Sequence, residues 1–130
     1  MKYPNFIQPK ETMGICAPSA GVGKKLIDFS KAIDCLQETF LIKESESVRI
    51  NNVRSNSAKI RGDEFNNLIL DQDIKMICVA AGGDFLFEVL PYIDFAACVQ
   101  NPKWVMGYSD PTSILYTLTT KYDISTIYGC

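Results

Sequence analysis

Lys103 to Thr112 (K-W-V-M-G-Y-S-D-P-T) places a serine where an apolar run meets the signal for a helix start. Trp104, Val105 and Met106 suit a buried strand, and Gly107 permits a close backbone approach before the turn. Asp110 suits an N-cap, with Pro111 at the first helical position. A serine at such a corner is thrust out at the strand's carboxyl edge, beside free N–H groups of the next helix. It could attack a carbonyl there, with the N–H of the following residue helping to hold the oxyanion. The hydrolase elbow pattern G-x-S-x-G requires glycine two places after the serine, and Pro111 stands there. On this stretch alone, a serine that merely caps the helix is the simpler account. The two accounts differ in geometry. A nucleophile elbow needs a positive φ at Ser109 and a free hydroxyl, whereas a cap needs ordinary φ and a hydroxyl bonded to the N–H of Thr112.

Other chemistries find less support. The chain has no histidine, which removes the commonest general base and metal ligand. Cysteines 16, 35, 78, 98 and 130 form no C-x-x-C pair, and four lie among apolar residues. They read as reduced thiols, so neither a disulfide framework nor a zinc site is expected. The loop Ser19 to Gly23 fails both nucleotide fingerprints. A phosphate-binding loop needs glycine at 18 and Ser or Thr at 25, where Pro18 and Lys25 stand. A dinucleotide motif opening at Gly21 needs glycine at 26, where Leu26 stands. No metal or cofactor is expected.

At 130 residues, 47% hydrophobic and 22% charged, the chain suits one globular domain. A net charge of −2 without a basic run argues against nucleic acid as a partner. No apolar stretch is long enough to span a bilayer and no h-region follows Met1, so a cytoplasmic location is the default expectation.

The elements that must position the serine alternate in type. After a polar lead-in over residues 1–11, Thr12–Ala17 reads as a buried strand. Leu26, Phe29, Ile33, Leu36 and Phe40 then recur at helical spacing. Ser47–Ile50 suggests a short strand, and Ser57–Leu70 a helix with Ala58, Phe65, Leu68 and Ile69 inward. Ile74–Ala80, broken only by Lys75, reads as a strand buried on both faces. Gly82-Gly83 turns the chain after it. One or two helical turns over Phe85–Leu90, closed by Pro91, and a short helix over Ile93–Val99 lead to Lys103–Met106. A helix to about Thr120 and a strand over Ile124–Tyr128 complete the pattern. This alternation predicts a three-layer α/β domain, with helices on both faces of a mainly parallel sheet and Ile74–Ala80 central beside Lys103–Met106. The Gly82-Gly83 and Ser109 loops then fall at strand carboxyl ends, where such sheets bind ligands.

Taken in order, the loops resemble one family. Ala17-Pro18-Ser19, Ser57-Ala58-Lys59, Gly82-Gly83, Leu90-Pro91-Tyr92-Ile93-Asp94, Asn101-Pro102-Lys103 and Gly107-Tyr108-Ser109-Asp110 together are similar to the N-terminal half of the LD-carboxypeptidases. These serine peptidases include the microcin C self-immunity proteins. The resemblance covers the chain from about Met13. It implies a flavodoxin-like or class I glutamine amidotransferase-like fold, with Ser109 as nucleophile. It maps the oxyanion hole to the N–H groups of Gly83 and Asp110, and substrate contacts to Gly82, Asp84 and Ser19. The implied substrate is a murein L,D-peptide or a peptide-nucleotide. The family's acid and histidine belong to a following second domain. The resemblance therefore implies the N-terminal domain of a longer enzyme, homodimeric when full length and inactive as this piece alone. Ala81 stands where many members carry arginine, Phe85, Leu86 and Phe87 replace small polar residues, and Pro111 replaces a small or β-branched one. If a partner domain normally covers the site, Phe85, Phe87 and Tyr108 should offer exposed apolar area. The alternative is a non-catalytic α/β module that binds a ligand or partner at the same loops.

Overall fold

A computed structural model describes residues 1–130. Five strands, β1 (Thr12–Cys16), β2 (Leu41–Glu44), β3 (Ile74–Val79), β4 (Trp104–Gly107) and β5 (Ile127–Tyr128), pair in parallel in the order β2-β1-β3-β4-β5. This is the flavodoxin-like order, in which the strand sequence reverses between β1 and β3. The loops after β1, β3 and β4 therefore lie side by side at one end of the sheet.

Alternation along the strands sorts the core into two layers. Cys16, Ile77 and Val105 join Phe65, Leu68, Leu86, Val89, Ile114 and Leu118 on one face. That layer is roofed by α2 (Ala58–Leu70), a 3-10 helix (Leu86–Tyr92), α3 (Phe95–Gln100) and α4 (Thr112–Tyr122). Met13, Ile15, Met76, Cys78 and Trp104 face the other way, where Ile33 of α1 (Leu26–Gln37) and Val48 join them. The second face has one helix where the first has three, and the chain start adds cover. Phe6 stacks on Trp104 at 5.3 Å, and Lys2 bridges to Ile124. The lead-in over residues 1–11 is thus part of the packing, which its polar composition did not suggest.

Three expectations on the elements need correction. The strand expected at Ser47–Ile50 is a turn, and β2 lies earlier, at Leu41–Glu44. It is an edge strand with both faces partly open, so it lacks the apolar run that marks β3. Pro91 lies inside the 3-10 helix and does not end it. The last strand is shorter than expected, with only Ile127 and Tyr128 paired to β4.

Ser57 caps α2 through the N–H of Ile60, and Asp94 caps α3 through that of Ala97. At the other end of α2, the buried Lys103 ammonium donates to the carbonyls of Leu68 at 2.7 Å and Asp71 at 2.5 Å. Burial pushes this ammonium down to about 8. Lys103 thereby joins the carboxyl end of α2 to the start of β4. No helix is long and apolar enough to cross a membrane.

Candidate active site

Strand β4 ends at Gly107 and α4 begins at Thr112, so four residues make the corner. Gly107 is needed there, because a Cβ would come within 2.7 Å of the Pro111 side chain. Ser109 takes up the turn with φ 67°, in the left-handed region that non-glycine residues seldom occupy. The first turn of α4 is capped by its carbonyl, which accepts from the Thr112 N–H at 2.9 Å and from the Thr112 hydroxyl. Its own hydroxyl is exposed and joins no intramolecular hydrogen bond. Neither feature is that of a serine capping the helix through its side chain.

Asp110 departs from its expected role as N-cap. The capping position falls on Pro111, which makes no side-chain cap. The Asp110 carboxylate instead accepts from the Ser19 hydroxyl and, at 2.9 Å, from the Leu86 N–H. It thus ties the loop after β4 to the loops after β1 and β3. Ser19, expected to meet substrate, is wholly buried and its hydroxyl is engaged by this carboxylate.

The Gly82-Gly83 turn lies against Ser109. A Cβ on Gly82 would sit 3.4 Å from the Ser109 Cβ and 3.7 Å from its Oγ. The Gly82 carbonyl accepts from the Ala20 N–H at 3.1 Å. In a trans peptide the next N–H points the opposite way, so the Gly83 N–H faces away from Ala20. No backbone hydrogen bond engages the N–H of Gly83 or of Asp110. Gly83 has φ 151°, and a Cβ there would overlap the Ser19 hydroxyl. Asp84 is exposed at the tip of the loop. Phe87 and Tyr108 are exposed, at 61% and 55%, while Phe85 is half-buried under the Arg54 guanidinium. A groove of about 590 Å³ opens beside Ser109, lined by Val22, Phe29, Val79, Gly82 and Tyr108 among others.

Sequence reasoning missed a buried arginine beneath these loops. Arg61 of α2 donates to the carbonyls of Asn56 at 2.8 Å, Pro18 at 2.9 Å and Phe85 at 3.2 Å, and to Glu88 at 2.9 Å. Arg54 grips Glu88 as well, at 2.7 Å. Hydrogen bonds from Arg54, then from Arg61, hold the Glu88 carboxyl at about 2, below its ordinary 4.5. A depressed carboxyl pKa favours the folded state fully above the ordinary value, and that contribution fades as pH falls. The stability advantage of the wild type over Glu88→Gln should therefore shrink between pH 4.5 and 2. Thermal midpoints across that range measure it, and a constant difference would refute it.

A five-stranded parallel sheet in flavodoxin-like order, with an exposed serine in a left-handed turn beside a Gly-Gly loop, defines an α/β domain with its loops gathered at one end. The model of the LD-carboxypeptidase N-terminal domain family, peptidase S66, matches residues 13–129, and the chain belongs to that family. The microcin C7 self-immunity protein MccF of Escherichia coli is 41% identical over 76 residues, 58% of this chain and 22% of that one. MccF in complex with aspartyl sulfamoyl adenosine superposes with a TM-score of 0.83 at 30% identity, over 95% of this chain and 38% of its own. Another MccF structure is an active-site mutant in which a serine, an asparagine and a lysine are replaced by alanine. A muramoyltetrapeptide carboxypeptidase from Oxalobacter formigenes shares the fold, with a TM-score of 0.71 at 21% identity, over 82% of this chain and 36% of its own. The chain spans well under half the length of these relatives.

Proposed function

We propose that this chain is the nucleophile-bearing domain of a serine carboxypeptidase that hydrolyses an amide bond near a free carboxylate. Ser109 attacks the carbonyl, and the N–H groups of Gly83 and Asp110 hold the oxyanion. The observation that carries this reading is Ser109 itself, with φ 67° and a free hydroxyl beside Gly82. A cap would not need that conformation, since the Ser109 carbonyl already closes the first turn of α4. Gly82 and Asp84 border the place where a substrate carbonyl would enter, and Ser19 acts from below through Asp110. The serine named in the MccF active-site mutant is consistent with this assignment.

A serine needs a base to take its proton, and these residues hold no histidine. The base and its orienting acid then come from the domain that the longer relatives carry. The substrate is a murein L,D-peptide or a peptide-nucleotide conjugate, and the active form is a cytoplasmic homodimer. The test is turnover of a murein tetrapeptide and of aspartyl sulfamoyl adenosine by the full-length protein. Release of the C-terminal amino acid from the first, or of aspartate from the second, supports the proposal. Cleavage of neither favours a binding module at the same loops. Purified residues 1–130 should turn over neither compound, because no base completes the site. Robust turnover by that piece would demand a Lys or Asp base within it.

A further inference from the structure

We propose that Arg61 is a positioning residue for the oxyanion donors beside Ser109, acting through the loops that it holds and not by touching substrate. The inference rests on the serine-peptidase reading above. The Arg61 side chain is completely buried, yet its guanidinium reaches four acceptors on three separate segments. Two of them belong to the loops that build the site. Pro18 precedes Ser19, whose hydroxyl donates to the Asp110 carboxylate. Phe85 precedes Leu86, whose N–H donates to the same carboxylate at 2.9 Å. One guanidinium therefore fixes the backbone beside both donors that orient Asp110. It also anchors the Gly83 loop from its far end, while Ala20 holds the near end through the Gly82 carbonyl.

The choice of residue points the same way. A buried ion pair is a poor source of stability, and well-packed apolar residues often replace one without loss. If only stability were at stake, a methionine among these helices would suffice. What it could not supply is a planar fork of donors with fixed angles, able to set two loops relative to one another. A lysine keeps the charge but presents its donors from one point, so it cannot span the Pro18, Phe85 and Asn56 carbonyls together. An error of about 1 Å in a catalytic group costs on the order of 100-fold in rate.

The experiment compares Arg61→Lys and Arg61→Met with wild type in the full-length protein, using whichever of the two substrates above is turned over. The expected result is a fall in kcat of about 10- to 100-fold per folded molecule, with KM changed less than about 3-fold. Affinity for a peptide aldehyde, which forms an oxyanion with a nucleophilic serine, should fall by the same factor. Affinity for the cleaved product should hold. A purely structural arginine would lower the thermal midpoint and leave kcat per folded molecule unchanged, and that result overturns the proposal. Should neither variant fold, Ser19→Ala cuts the next link without disturbing Arg61. It should lower kcat by about 3- to 10-fold at unchanged KM, and a wild-type kcat would overturn the proposal. If Ser109→Gly retains turnover, the nucleophile reading itself fails. If that variant is dead while Arg61→Lys keeps full kcat, only the positioning role fails.

Discussion

Ser109→Gly in the full-length protein should abolish turnover and at the same time make the fold more stable. The loss should be about 10⁴-fold or more, as for removal of a nucleophile elsewhere. The gain arises from φ 67°, a conformation that costs a residue with a Cβ about 1–2 kcal/mol and glycine almost nothing. The thermal midpoint should rise by on the order of 2 °C. Opposite changes in activity and stability are the mark of strain kept for function. A capping serine predicts the reverse pair, with activity kept and some helix stability lost. Retained turnover would end the nucleophile assignment.

Gly83→Ala should be nearly as damaging by a different route. At φ 151° an alanine is strained whatever the space, and its Cβ would overlap the Ser19 hydroxyl and lie 3.1 Å from the Ala20 nitrogen. The loop must move, and the donor proposed for the oxyanion moves with it. Loss of one such donor costs about 10²- to 10³-fold in kcat. The strain and displaced packing should also lower stability by about 2 kcal/mol. Steady-state kinetics and thermal melts of the same preparation read both numbers. Normal kcat in a destabilised variant would show that the Gly83 N–H does not serve the reaction.

The architecture was legible because its central strands are buried on both faces. Ile74–Ala80 and Trp104–Met106 carry almost no polar residue, and they stand as neighbours in the sheet. The corner itself was legible from Gly107 and the serine before a helix start, but that stretch alone favoured a cap, and only the ordered set of loops shared with one family pointed to a nucleophile. What stayed hidden were contacts between distant segments. Nothing local about Asp110 separates a helix cap from a carboxylate that reaches Ser19 across the sheet. Arg61 reads as an ordinary charged helix position, since its partners are carbonyls that have no sequence signature. Leu41–Glu44 escaped notice because an edge strand need not be apolar on either face. Ser19 was expected to face substrate, but the depth of its loop is set by Ser55, whose N–H donates to the Ser19 carbonyl at 3.0 Å.

The strand order also bears on how the molecule comes together. β1 lies between β2 and β3, and its Thr12 meets Leu41 on one side and Ile74 on the other. A chain emerging from the ribosome can pair β1 with β2 early, but one edge of β1 then waits for β3. Non-local parallel pairings of this kind fold slowly, because a long loop must close before any contact rewards it. Until Val79 is available, the Ile15 and Cys16 edge is an unpaired template for other strands. The left-handed serine turn can be set only after β4 has docked, so competence for chemistry should be acquired last. Nascent chains halted before residue 74 should be the species most in need of a chaperone.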